Sequence, residues 1–188
     1  MVKPNIQTID ATEVGRAGAE MVSTNAYIMY TTPSLRERAL GEGLRSIVGF
    51  DGPIMTDSGS FQLATYGNID VDTTEIIEFQ SAIGTDIATP VDLPTAPDAS
   101  VAQTEDDLRH TDDAIEHAMS METGEMAITG PVQGSTHPAL RRRAGAAARE
   151  HACDLYAIGA VVPLLNSYRY AEMVDVIVAA KEGLGPAV

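Results

Sequence analysis

The sequence is poor in cysteine, lysine and tryptophan and has no long apolar run, and the scarcity of cysteine and of apolar runs excludes whole classes of protein. One cysteine, Cys153, cannot form a disulfide framework or a thiolate zinc cluster within this chain. There is no uninterrupted run of about 18 apolar residues, so we expect no membrane span. The stretch from Met1 to Glu13 has no apolar core, which argues against a secretory signal and favours a cytoplasmic protein.

The charge balance is strongly acidic. The chain has 27 acidic and 12 basic residues, a net charge of -15, and only Lys3 and Lys181 as lysines. This pattern is expected of a salt-adapted (halophilic) cytoplasm, where net charge keeps proteins soluble. Acidity alone argues against nucleic-acid binding, but the counterion-release contribution to phosphate binding shrinks at high salt.

Short apolar runs alternate with longer amphipathic ones, which predicts five strands, each followed by a helix. The predicted strands are Glu20–Thr24, Pro53–Thr56, Asp86–Thr89, Glu125–Thr129 and Asp154–Ile158. The predicted helices are Leu35–Val48, Thr73–Ile83, Val101–Met121, Pro138–Cys153 and Tyr168–Lys181, the last with Gly183 as its stop. Such βα units fit either a doubly wound sheet or part of a (β/α)8 barrel, which typically needs eight units and about 250 residues.

Polar residues follow each predicted strand, where α/β folds place their chemistry. Asp57 and Asp92 can accept hydrogen bonds from the N–H groups of a ring. Gln133 and the backbone near Gly159 and Ala160 can donate to a carbonyl. Phe61 offers a face for stacking. Together these groups are complementary to the edge and face of a guanine base.

Each of these residues also has a plainer interpretation. Asp57 is equally suited to a helix cap or an Asx-turn, and Asp92 lies between two prolines, where it would order a turn. Gln133 beside a glycine fits a turn, and Phe61 fits the core. Only their joint occurrence at successive strand ends favours a binding site.

Four segments stand out as motifs: PIMTDSGSFQ at 53–62, DIATPVDLP at 86–94, GPVQG at 130–134 and IGAVVPLL at 158–165. They resemble the motifs of tRNA-guanine transglycosylases. Ser60, the stretch around Val162-Pro163 and SYRY at 167–170 resemble the archaeal branch of the family. The resemblance covers nearly the whole chain and implies a partial (β/α)8 TIM barrel with about five βα units.

The resemblance also implies a reaction. Family members of this branch are pentosyltransferases that replace guanine in the D-arm of tRNA with 7-cyano-7-deazaguanine (preQ0), in archaeosine biosynthesis. An aspartate attacks ribose C1′ and forms a covalent intermediate, which the incoming base displaces. The implied partners are therefore tRNA and the preQ0 base.

The family's functional residues can be matched to this chain. Asp57 matches the catalytic aspartate, which the family uses either as nucleophile or as acid/base beside a second aspartate. Asp92 matches a base-binding aspartate, and Gln133 matches the glutamine that contacts the base carbonyl. Phe61 matches the aromatic residue that stacks on the base, and Gly159 with Ala160 matches the loop that closes the pocket. Asn25 matches an asparagine on the ribose side.

The chain also departs from the family pattern. Members extend beyond both ends of the segment at 1–188, and the later part holds a second aspartate and a zinc site of three cysteines and one histidine. We therefore expect a catalytic domain truncated at both ends, inactive alone, with zinc ligands outside this chain. A missing C-terminal segment or a homo-oligomer would complete it.

Two other functions compete with this interpretation. One is a non-catalytic transglycosylase-like subunit, or an inactive fragment, that supports a partner chain. The other is an aldolase-like barrel, which would need a Schiff-base lysine; Lys3 and Lys181 lie at the chain ends, which counts against it.

One basic cluster remains unassigned. Arg141, Arg142, Arg143 and Arg149 either face tRNA phosphates or form a solvated helix face.

Overall fold

The computed structural model describes Lys3 and residues 11–60 and 72–186, and these contain one parallel sheet. Its strands are β1 (Val22–Asn25), β2 (Ile54–Asp57), β3 (Ile87–Ala88), β4 (Ala127–Val132) and β5 (Leu155–Ile158). The spatial order is β1-β2-β3-β4-β5, every pairing is parallel, and the sheet curls into a half-barrel. A doubly wound sheet would reverse its strand order, so the consecutive order decides for a partial (β/α)8 barrel.

The predicted strands are all confirmed, with shifted ends. β3 keeps only two residues, whereas β4 begins two residues later than predicted and extends three residues further, to Val132. The extension pairs Pro131 with Ala157 and Val132 with Ile158, so the neighbouring strand sets the length of β4. Pairing of this kind is not visible in the pattern of one segment.

Nine helices lie in the described part of the chain, and the bounds of all five predicted helices differ from them. They are α1 (Ala11–Arg16), α2 (Ala26–Thr31), α3 (Pro33–Glu42), α4 (Leu44–Val48), α5 (Thr73–Ala82), α6 (Val101–Ser120), α7 (Pro138–Glu150), α8 (Val162–Asn166) and α9 (Tyr170–Leu184). The single helix predicted over Leu35–Val48 is wrong: Gly43, at φ +81°, ends α3 and begins α4. The three short helices α1, α2 and α8 were not predicted.

The end of α9 also differs from the prediction. Gly183 lies inside the helix, and Gly185, at φ +87°, is the residue that follows its end. Gly183 and Gly145 instead let α9 and α7 approach closely, since a Cβ on Gly145 would lie 2.6 Å from the carbonyl oxygen of Ala180. A glycine read as a stop is here a helix-packing residue.

Successive side chains of β2 point alternately to the core and to the face that carries Asp57. Ile54 and Thr56 are buried on the face covered by helices, where Thr56 donates to Gln80 of α5 at 2.6 Å. Met55 and Asp57 point to the opposite, partly exposed face. The main core lies between β1–β3 and the helices that cover them, around Met29, Leu44, Ile54, Ile76 and Ile77.

The β5 side of the sheet is the most exposed apolar region in the described residues. Leu155 of β5 is 39% exposed, and four aliphatic side chains of α8 and α9 are about half exposed: Val162, Leu165, Val174 and Val178. Among the described residues, no helix combines the length and apolar character needed to cross a bilayer.

Candidate base-binding site

Asp57 ends β2 and lies beside Asn25, its register partner at the end of β1. Its Oδ1 accepts the backbone N–H of Gly59 at 2.9 Å, which forms the Asx-turn allowed by the sequence. Burial raises the pKa of the Asp57 carboxyl, and the Gly59 hydrogen bond partly opposes this rise. Gly59 has φ +87° and packs against Tyr27, so any side chain there would collide with the ring.

Asp92 lies in the loop after β3 and is only 8% exposed. Its backbone N–H donates to Ser60 Oγ at 3.1 Å, and Gln133 Nε2 donates to its Oδ2. Burial raises the pKa of Asp92; hydrogen bonds from Ser60 and Gln133 oppose the rise, and the charge of Asp57 adds to it. The effect of the Asp57 charge on the pKa of Asp92 indicates that the two carboxyl groups lie near each other.

Gln133 follows β4 and is 2% exposed. Its carboxamide lies against Gly159, where a Cβ would come within 2.8 Å of Gln133 Cδ. Among the described residues, Gln133 Oε1 has no hydrogen-bond partner. The ends of β2, β3, β4 and β5 therefore converge through one connected set of groups: Asp57, Ser60, Asp92, Gln133 and Gly159.

The other predicted site residues have different positions. Asn25 is 2% exposed, and its Oδ1 accepts from Ile28 N at 2.8 Å, so this oxygen caps α2. Ala160 follows Gly159 with a left-handed φ of 54°. Phe61 lies outside the described residues.

Ser60 makes a polar contact in the candidate site that was not predicted from the sequence. Its hydroxyl is buried, lies 2.8 Å from Ser58 Oγ and accepts from Asp92 N. From the sequence, Ser60 was noted only for its resemblance to the archaeal branch of the family. No local pattern indicates this contact, because the partner Asp92 lies 32 positions away.

The arginine cluster does not form one basic surface. Arg142 pairs with Glu182, Arg143 pairs with Glu105, and Arg141 is fully buried. A periodic signal was present: Arg141, Gly145 and Ala148 are spaced by four and three residues on the buried face of α7.

The described residues contain no group of three or more histidines, cysteines or acidic residues that would hold a metal ion. Burial raises the pKa of the Cys153 thiol to about 11, which disfavours the thiolate that zinc requires. The described residues therefore offer no ligand set suited to zinc, and zinc ligands outside this chain stay a prediction.

Comparison with known proteins decides the family. A family model described as queuine tRNA-ribosyltransferase matches residues 1–187. The chain belongs to this family. Three curated relatives, each described as a tRNA-guanine(15) transglycosylase, share 52% (Haloarcula marismortui), 54% (Haloferax volcanii) and 50% (Methanosarcina acetivorans) identity with it.

These alignments cover nearly all of this chain but a minor part of each relative. They include 98%, 98% and 99% of the chain, and 38%, 36% and 38% of the Haloarcula, Haloferax and Methanosarcina proteins. Within the queuine tRNA-ribosyltransferase family, the chain thus corresponds to little more than a third of such proteins.

Proposed function

We propose that this chain supplies the base pocket of a transferase that exchanges guanine at position 15 of tRNA for 7-cyano-7-deazaguanine, in archaeosine biosynthesis. The observation that carries the proposal is the convergence of Asp57, Asp92, Gln133 and Gly159 from four neighbouring strand ends. The names of the relatives, which are tRNA-guanine(15) transglycosylases, support the choice of guanine and tRNA.

The pocket groups match a guanine edge. The ring N–H and amino group of guanine are donors, which the Asp92 carboxylate accepts. The base carbonyl needs a donor, and Gln133 Nε2 is one; without a base it donates to Asp92. The Gly159 N–H donates to Val132 O at 3.0 Å. The Ala160 N–H is therefore the donor that this loop offers to the base carbonyl. The 7-deaza base presents the same edge.

The proposed reaction is a double displacement at ribose C1′. An aspartate oxygen bonds to C1′ while the bond from C1′ to guanine N9 breaks, and the departing base takes up a proton. N9 of the incoming base then loses its proton, bonds to C1′ and releases the carboxylate. No oxidant, reductant or further co-reactant is needed. Asp57 is one of the two aspartates, either as the nucleophile or as the acid/base.

The environment of Asp57 suits either role. Burial removes water from its carboxylate and raises its pKa, which makes the ionised oxygen more basic and more nucleophilic. The Gly59 N–H holds Oδ1 in a fixed orientation. A raised pKa also brings a carboxyl closer to neutral pH, as proton transfer requires.

A chimera tests the proposal. Residues 1–188 replace the matching segment of the Haloarcula marismortui relative, and exchange of labelled guanine into tRNA is measured. We expect an active chimera, a loss of at least about 1,000-fold for Asp57→Asn, and no exchange by the isolated chain. An inactive but folded chimera would contradict the base-exchange function.

Trapping distinguishes the two roles of Asp57. A nucleophile replaced by asparagine leaves no RNA-linked protein on a denaturing gel, whereas loss of an acid/base still permits slow accumulation of that species.

A second candidate function is a supporting subunit, alone or as a homo-oligomer. The exposed apolar side chains around β5 and α9 favour association with further protein. Full exchange activity in the Asp57→Ala chimera would favour this supporting role over catalysis.

A further inference from the structure

Arg141 is the most unusual buried group in the described part of the chain. It lies in the first turns of α7 and is 0% exposed. Burial lowers its pKa to about 10, and this is the sole cause of the shift. A cation near a helix N-terminus also opposes the helix dipole. An apolar side chain of similar volume would avoid both costs.

The hydrogen bonds of Arg141 show what offsets these costs. Nε donates to Ser135 O at 2.9 Å, and Nη1 donates to Val132 O and Gly159 O, each at 2.9 Å. All three acceptors are backbone carbonyls where the chain leaves β4 and β5. Among the described residues, Nη2 has no partner. One guanidinium thus bridges two loops where sheet pairing ends.

The two bridged loops also carry the base-pocket groups. Gly134, next to Gln133, packs directly on Arg141, since a Cβ there would lie 3.0 Å from Arg141 N. Gly159 packs on the Gln133 carboxamide and donates to Val132 O, the same oxygen that Arg141 uses. Contacts therefore run in a closed circuit from Arg141 through Gly134, Gln133 and Gly159 back to Arg141.

The loops hold backbone strain that this circuit restrains. Ser135 and Ala160 have φ of 49° and 54°, a left-handed conformation that L residues rarely adopt. Such residues persist only where surrounding contacts determine them. The carbonyls of Ser135 and Gly159, the latter joined to Ala160, are both fixed by Arg141.

We propose that Arg141 is a positioning residue that holds Gln133 and the Gly159–Ala160 loop in the geometry that binds the base. It acts through those groups, and its guanidinium does not touch substrate. The inference deepens the proposed function and rests on it for the identity of the ligand. Its structural part, the anchoring of both loops, is independent of the reaction.

Arg141→Met tests the role, with Arg142→Met as the matched control on the same helix. The readout is KM against kcat in the chimera, with guanine and tRNA varied separately. We expect Arg141→Met to raise KM for guanine about tenfold, because lost hydrogen bonds loosen the pocket. We expect kcat and KM for tRNA to change less than about threefold. Arg141→Lys restores part of the loss, because an ammonium replaces some donors but not the planar fork.

Hydrogen exchange separates this inference from the proposed function. In Arg141→Met, peptides over 131–137 and 156–163 should exchange at least about tenfold faster relative to α6 peptides, and Arg142→Met should leave them unchanged. If the chimera is inactive but hydrogen exchange in these loops still depends on Arg141, the base-exchange proposal is contradicted and the anchoring of the loops by Arg141 is supported. Unchanged loop exchange, or equal rises in KM for guanine and tRNA, would overturn the positioning role.

Discussion

Two pairs of aspartates lie at opposite ends of the same sheet and are used in opposite ways. At the amino end, Asp86 and Asp154 each precede a strand and accept the backbone N–H of an isoleucine in the neighbouring strand. The distances are 2.8 Å from Ile54 N and 2.9 Å from Ile128 N. Asp86 also forms an ion pair with Arg45 at 3.1 Å.

In the described residues, Asp57 and Asp92 at the carboxyl end accept no backbone N–H from a neighbouring strand and form no ion pair. Asp57 and Asp92 are held by neutral donors, Gly59 N–H and Gln133 Nε2, and burial raises the pKa of both carboxyls. Asp86 and Asp154 each accept an N–H from the neighbouring strand, and Asp86 also faces a cation. Under the proposed function, Asp57 and Asp92 are the carboxylates that meet the substrate, and their neutral donors hold them in place. (β/α)8 barrels likewise place catalytic residues at the carboxyl ends of the strands, whereas residues at the opposite face serve stability.

The largest expected difference between the pairs is in activity. Asp92→Asn in the chimera should lower base exchange at least about 100-fold, since a neutral amide no longer accepts both guanine donors. Asp86→Asn should retain activity within about threefold, measured well below its unfolding temperature. Equal losses in the two variants would erase the distinction between the ends.

The next largest effect is on the free energy of unfolding, where the amino-end aspartates matter more than the carboxyl-end pair. Asp154→Ala removes the acceptor of the buried Ile128 N–H and should lower the free energy of unfolding by about 1–3 kcal/mol. Asp154→Asn keeps an oxygen at that position and serves as the control, with a smaller loss. Urea unfolding of the chimera measures both, and identical stabilities would show that this hydrogen bond contributes little.

The smallest effect is in the pH dependence of stability. Folding raises the pKa of Asp92 above its ordinary value of 3.8. Between that pH and the folded-state pKa, the carboxyl is protonated in the folded protein and ionised in the unfolded chain. Stability therefore falls as pH rises from that value through the folded pKa. Asp92→Asn should remove this fall, so its stability relative to the parent increases with pH and then levels off. A difference independent of pH, in urea titrations from pH 4 upward, would contradict this assignment.

Local patterns predicted most of the fold. Five strands and the long helices follow from periodicity, turn residues and caps, because each signal lies within the segment it describes. The break at Gly43 and the interior position of Gly183 were missed. Both depend on contacts, since a glycine inside a helix and one at its end look alike in sequence.

The arrangement of the candidate site residues was predicted in part. The sequence placed Asp57, Asp92, Gln133 and Gly159 at strand ends, and the parallel order brings those ends together. It did not predict that Asn25 caps α2 or that Ser60 bonds to Asp92. The placement of Phe61 stays a prediction.

The sequence by itself determined the composition of the candidate site and the order of the βα units. Local propensity and strand direction require only neighbouring residues, and parallel strands with crossover helices collect their carboxyl ends at one edge. Tertiary structure alone decided which charged side chains are buried. Burial raises the pKa of Asp57 and Asp92. Arg141, predicted as part of a basic cluster, is buried and donates to backbone carbonyls of two loops. The physical reason is that desolvation and hydrogen-bond partners depend on residues distant in sequence, which no local pattern records.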